Sequence, residues 1–168
     1  QLVEDNVDRM IEIAGCAERL RPHCKTHKMR EVIALQLKKG IRKHKCATVA
    51  EAEMLAGVGV RDVFLAYNLV GPNIRRAVQL KRAYPGATLS VTADHPDPLL
   101  QLSDAASQAG VVIDVLLDMD TGMHRTGLEI GPASAALYEK IATSAGLNPG
   151  GLHVYDGHQH QHAFAERQ

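Results

Sequence analysis

Short β-like runs return roughly every 20 to 25 residues, each followed by a stretch with helical spacing, and this alternation constrains the 168-residue chain more than any other feature. Residues 2–20 place Val3, Val7, Met10, Ile11, Ala14 and Ala17 at helical intervals, with Glu4 and Asp5 in the first turn. A first strand is expected at 21–28. Val32, Ile33, Ala34 and Leu37 then share a helix face that ends in Lys38, Lys39 and Gly40. A second strand is expected at 44–47. Thr48-Val49-Ala50-Glu51 matches a capping box, in which hydroxyl and carboxylate each satisfy an orphan N–H, so a helix runs from there to about Ala56. Strands at 63–66, 87–92, 111–117 and 151–155 alternate with helices opened by Gly71-Pro72, Asp97-Pro98 and Pro132.

Six strands separated by helices mean a parallel sheet with helical crossovers, hence an α/β fold. A closed barrel and an open doubly wound sheet both meet that spacing. Neither a G-x-G-x-x-G after a strand nor a Walker loop occurs, which lowers the nucleotide-binding alternative. A (β/α)8 TIM barrel takes ~250 residues, so about six of eight units are expected here. Residues 1–168 are therefore expected to be one incomplete barrel domain, with the missing part C-terminal.

Charge excludes several classes of partner. Nineteen basic residues balance nineteen acidic ones, so no overall field draws the chain to nucleic acid or an anionic membrane. No apolar run reaches the ~18 residues of a membrane span, and no signal peptide is visible. Cys16, Cys24 and Cys46 are odd in number and lack framework spacing, which agrees with a reducing, cytoplasmic location.

The segment Arg21-Pro22-His23-Cys24-Lys25-Thr26-His27-Lys28 carries the chemistry. Strand alternation would turn Arg21, His23, Lys25 and His27 to one face, and burying that face without an anion opposite would be prohibitive. A phosphate-bearing cofactor with a carbonyl open to a lysine amine meets the demand; a basic strand end in water is the competing reading. Lys25 is the natural nucleophile, because adjacent cations favour the neutral amine. Asp114, Leu116, Asp118 and Asp120 share a face of the fifth strand, where Asp118 either balances the basic strand or takes part in catalysis. Arg125 lies between Gly122 and Gly127 in a loop suited to holding an anionic oxygen. His153, His158, His160 and His162 form a histidine-rich end that fits a polar active-site loop better than a metal centre, so no metal ligands are assigned.

Four motifs together resemble a known family: Arg21-Pro22-His23-x-Lys25-Thr26-His27-Lys28, Cys46-Ala47-Thr48 with Glu51-Ala52, Asp120-Thr121-Gly122-x-x-Arg125-x-Gly127, and Tyr155-Asp156-Gly157-His158. In this order they resemble the D-threonine aldolase and D-serine dehydratase group, relatives of alanine racemase with the fold-type III pyridoxal-phosphate architecture. The resemblance implies a pyridoxal 5'-phosphate barrel followed by a β-rich second domain that lies outside this chain. It implies a lyase that cleaves D-3-hydroxy amino acids to glycine and an aldehyde, with D-serine dehydration, racemisation or non-enzymatic cofactor carriage as alternatives. By motif position Lys25 is the Schiff-base lysine, Arg125 the arginine near the cofactor's phenolic oxygen, and Tyr155 the ring packed on the pyridine. His23 and Tyr155 are candidates for proton transfer. The family's phosphate-cradling turns lie on later strands, and its ligands for a divalent metal, manganese or zinc, lie in the second domain. On that pattern the fragment alone is inactive and the full-length protein forms a homodimer that acts on small D-amino acids.

Overall fold

A computed structural model describes residues 1–161. Helix α1 (Leu2–Ala14) ends at Gly15, whose φ of 87° allows the left-handed turn, and a single 3-10 turn (Ala17–Arg19) follows. The helix is shorter than its apolar spacing predicts because that glycine interrupts it before Ala17. Next come α2 (Arg30–Lys38), β1 (Lys43–Cys46), α3 (Val49–Val58), β2 (Asp62–Asn68), α4 (Pro72–Ala83), β3 (Thr88–Ala93), α5 (Pro96–Gln108), β4 (Ile113–Met119), α6 (Pro132–Thr143) and β5 (Leu147–Val154). All strands pair in parallel in the order β1-β2-β3-β4-β5. Such sequential order with a helix after each strand is the winding of a TIM-type barrel, here an open arc of one.

The sequence reading of 21–28 as a full strand meets a correction. Only His23 bridges to the sheet, through Cys24 N–H to Lys45 O (2.9 Å) and Lys45 N–H to Pro22 O (2.9 Å). The chain then turns, with Lys28 N–H bonded to Cys24 O and Lys28 itself at φ 49°. Pairing stops there, so Lys25 and His27 belong to a turn and the four-residue basic face does not form. The last strand, by contrast, starts earlier than expected. Pro149-Gly150-Gly151 looks like a break, but a register shift between Val115 and Leu116 accommodates it, and a Cβ on Gly150 would come within 2.9 Å of Leu116.

Alternation sorts the two faces of the sheet. Val63, Leu65, Val91, Ile113, Val115 and Leu117 point to the helices and bury against Ile33, Leu55, Ile74, Leu99 and Ile141. Lys45, Asp62, Phe64, Ser90, Asp114, Leu116 and His153 line the concave face around a cavity of about 500 Å3. The apolar layer therefore holds the arc, and the polar layer is free for chemistry. Among the described residues no helix is long and apolar enough to cross a membrane.

Candidate active site

Lys45 organises the concave face. Its Nζ lies 2.9 Å from His153 Nε2, and His153 Nδ1 lies 2.7 Å from Asp118 Oδ1. Asp118 and His153 are both buried. With the carboxylate accepting from Nδ1–H, the lone pair on Nε2 is left for the lysine ammonium. Phe64 meets the His153 ring edge-on at 5.3 Å, and Lys45 Nζ lies 5.4 Å from the Phe64 centroid and 5.9 Å from that of Tyr155. Burial holds the Lys45 amine below its ordinary pKa. The charge of Lys25 adds to that effect, Asp118 opposes it, and Arg125 and Arg21 act as Lys25 does. Arg21 is itself neutralised by a two-point ion pair with Asp62 (2.5 and 3.0 Å).

Lys25, Arg125 and Tyr155 lie beyond strand pairing at the carboxyl side of the arc, whereas Arg21 pairs with Asp62 at the start of β2 and Asp114 sits at the start of β4. Lys25 is exposed on the turn after the bridge, and its backbone N–H donates to His23 Nδ1 at 3.2 Å. His23 is half-buried, and burial, followed by Lys25 and Lys45, pushes its imidazole down to about 4. It is therefore neutral at physiological pH, with Nδ1 acting as acceptor. Arg125 stacks its guanidinium carbon 5.2 Å from the Tyr155 ring centroid. The loop that carries it is tied down at both ends: Asp120 N–H donates to Leu128 O and Leu128 N–H to Asp118 O (2.9 Å each), and Gly127 N–H donates to Asp94 Oδ2 (3.0 Å). Within the loop, Asp120 accepts from the His124 and Gly122 N–H groups and from His124 Nδ1, which holds its carboxyl down at about 2.

Asp118 proves to balance the basic side of the arc, but through His153 and onto Lys45 of β1 rather than onto residues 21–28. Lys45 is the member of this group least visible in the sequence, whereas His153, read there as part of a histidine-rich loop, sits on β5. The one signal for Lys45 is Lys43-His44-Lys45, an alternation within a short strand that puts a cation on the inner face. His158 sits against Gly122, where a Cβ would come within 3.1 Å of its Nε2; His160 is described but His162 lies outside the described residues.

A second cluster lies under the Lys25 turn. Glu51, 5 % exposed, accepts from Lys28 Nζ at 2.5 Å and from Ala47 N–H at 2.8 Å, and its Oε2 is 3.9 Å from Cys24 Sγ. Burial works to raise the Glu51 carboxyl, but the Lys28 and Ala47 bonds outweigh it and the net direction is down. The capping box is thus half-built: Thr48 Oγ1 accepts from Glu51 N–H, but the Glu51 carboxylate reaches the Ala47 N–H and not that of Thr48. Burial, with the Glu51 charge, raises the Cys24 thiol to about 11.

The fold and this site define a segment of a TIM-type β/α barrel, with a cationic mouth beside an aromatic ring at the carboxyl side of parallel strands. The chain belongs to the family described as the alanine racemase N-terminal domain, which matches residues 1–168. It is 37% identical over 150 residues to a D-threonine aldolase from Arthrobacter sp, covering 88% of this chain and 39% of that one. To a 3-hydroxy-D-aspartate aldolase from Paracoccus denitrificans (strain Pd 1222) it is 30% identical over 169 residues, covering 98% of this chain and 43% of that one. The crystal structure of D-threonine aldolase from Filomicrobium marinum superposes with a TM-score of 0.85 at 32% identity, covering 92% of this chain and 42% of the other. The chain thus spans about two fifths of the length of these relatives.

Proposed function

We propose that this chain is the cofactor-anchoring part of a pyridoxal 5'-phosphate-dependent lyase that cleaves D-3-hydroxy amino acids to glycine and an aldehyde. The observation that carries the reading is similarity to D-hydroxy-amino-acid aldolases along nearly the whole chain, with Lys25 and Arg125 both acting on Lys45 and Tyr155 packed beside it. In this reading residues 1–168 belong to a larger barrel domain, and a β-rich second domain supplies the divalent metal ligands.

The donor set suits the cofactor. A planar, anionic aromatic ring with an aldehyde calls for an accessible amine, a cation for its oxygen and a flat side chain against its face. Lys25 supplies the first, Arg125 the second and Tyr155 the third. When bound, the cofactor draws electrons from the substrate Cα and so weakens the bonds there. Lys25 holds the cofactor, and Arg125 fixes an oxygen through its guanidinium N–H groups. His23, neutral and with Nδ1 engaged by the Lys25 N–H, keeps Nε2 for a proton at the substrate. Tyr155 supplies a hydroxyl for the same purpose. Below them the Lys45–His153–Asp118 chain keeps the floor of the site charged but internally paired.

The test uses the full-length protein loaded with pyridoxal 5'-phosphate. Borohydride reduction and peptide mapping are expected to place a pyridoxyl group on Lys25, and the Lys25→Ala variant to lose the visible absorption band of the bound cofactor. D-Threonine is expected to yield glycine and acetaldehyde. A pyridoxyl group on another lysine would refute the assignment of Lys25, and failure to bind cofactor would refute the reading as a whole.

A further inference from the structure

The cluster under the Lys25 turn has a composition that its hydrogen bonds do not exhaust. His23, Cys24 and Glu51 each present one ligand atom, a ring nitrogen, a thiol sulfur and a carboxylate oxygen, all within 4.8 Å of one another. It is the one such group among the described residues, and two of its three members are buried. We propose that His23, Cys24 and Glu51 form a binding site for a thiophilic divalent cation of the zinc class, distinct from the metal ligands that the family resemblance assigns to a second domain.

Nitrogen, thiolate and carboxylate donors together select a borderline-soft ion such as Zn2+ or Co2+ over Mg2+ or Ca2+, which prefer oxygen alone. Ligand–metal lengths of about 2.0 to 2.3 Å place neighbouring donors roughly 3.3 to 3.8 Å apart. Cys24 Sγ and Glu51 Oε2 already stand at 3.9 Å, so the site closes with modest side-chain movement. The thiol proton lies between those two atoms, and the cation takes its place. The Cys24 S–H bond breaks, its proton leaves to solvent, and the sulfur electron pair forms the bond to the metal, with no change of oxidation state. One thiolate and one carboxylate then neutralise the ion. Glu51 keeps the Ala47 N–H bond at Oε2, whereas the Lys28 bond at Oε1 gives way to the ion. The His23 Nδ1 accepts from Lys25 N–H, so its Nε2 is the nitrogen available to the ion.

Lys28 is the resident competitor. Its side chain is 58% exposed, so the ammonium can swing into water as the ion enters from that side. Occupancy would fix His23 and Cys24, the two residues immediately before Lys25, and so couple the cation to the turn on which the proposed anchor sits. The test stands independently of the Lys25 assignment because it is run without the cofactor; an ion on His23 Nε2 takes the nitrogen that the proposed reaction uses for a proton, so the occupied site and that role of His23 exclude each other.

The experiment compares the full-length protein with its Cys24→Ser, Glu51→Gln and Lys28→Gln variants, probed with Co2+ and Zn2+ in the absence of cofactor. The wild type is expected to bind one more equivalent than Cys24→Ser and to show a sulfur-to-cobalt charge-transfer band that this variant lacks. Because the comparison is a difference at one thiol, cations held by His158, His160 or any other site cancel. Calorimetry in two buffers is expected to find one more proton released by the wild type than by Cys24→Ser. Glu51→Gln should weaken that equivalent by tenfold or more, and Lys28→Gln, which removes the competitor and keeps the carboxylate, should tighten it severalfold. Equal stoichiometry and identical cobalt spectra in the wild type and Cys24→Ser would overturn the proposal. So would weaker binding in Lys28→Gln with its circular dichroism unchanged.

Discussion

Lys45 Nζ and His153 Nε2 meet at 2.9 Å although they lie on β1 and β5, the two edge strands of the sheet. A flat five-stranded sheet would hold its edges about 19 Å apart, four spacings of ~4.8 Å. The contact therefore measures how far the arc has curled, and it bridges the gap with a lysine long enough to cross the interior. His153 in turn rests on Asp118 of the neighbouring strand, which completes a polar crossbeam from one edge to the other.

Breaking that crossbeam should cost more than its area suggests. His153→Leu leaves Asp118 buried without its partner and removes the acceptor of Lys45, so a loss of about 3 kcal/mol is expected in urea unfolding. Adding Asp118→Leu to that variant should recover part of the loss, since the stranded carboxylate is then gone. If the double variant is no more stable than the single one, the crossbeam does not work as a charge-compensated unit.

His44 makes stability depend on pH. It is fully buried on the helix side of β1, with Nε2 3.1 Å from Gln36 Oε1, and Nδ1 has no partner among the described residues. Burial, then the charges of Arg21 and His27, holds its imidazole down to about 4 from 6.5. The unfolded chain thus takes up the proton first. The contribution is whole above pH ~6.5 and is lost progressively as the pH falls to about 4, in total about 3 kcal/mol. His44→Asn is expected to flatten this part of the stability profile, measured by urea midpoints at pH 7, 5.5 and 4.5.

Gly127 anchors the loop that carries Arg125. Its φ is +98°, and a Cβ would come within 2.7 Å of the Asp120 nitrogen and of the Met119 carbonyl carbon. Both backbone and space therefore exclude a side chain. Gly127→Ala should cost about 2 kcal/mol or more and displace Arg125 from Tyr155. In the full-length protein, weaker cofactor binding at intact secondary structure is the expected readout. Unchanged stability would show that the loop tolerates the shift.

Thr48 caps α3 by accepting from Glu51 N–H at 3.1 Å. Thr48→Ala is expected to lower stability by about 1 kcal/mol, and Thr48→Ser to retain most of it. Thermal unfolding of the three proteins decides the point, since a structural role confined to packing of the Thr48 methyl would make serine as poor as alanine.

The α/β class, the helix starts at Pro72 and Pro132, the cap at Thr48 and the helix-facing apolar layer were all legible in the sequence. Each depends on local spacing and on backbone chemistry that residue type alone dictates. The early end of α1 and the start of β5 at Leu147 were not legible. Gly15 and Pro149-Gly150-Gly151 send local signals whose outcome is set by what they pack against, an end in one case and an accommodated bulge in the other.

For the proposed site, the sequence by itself determined which side chains are on offer: an amine at Lys25, a loop cation at Arg125, a ring at Tyr155 and alternating carboxylates on β4. Only the tertiary structure decided the arrangement. Residues 21–28 do not extend as a strand, because pairing with β1 ends at His23 and Cys24, and Lys45 of that strand takes the central place instead. The physical reason is that strand alternation specifies which way a side chain points, whereas which charges face one another depends on the curl of the whole sheet. That curl brings Lys45 to His153 across 108 residues of sequence.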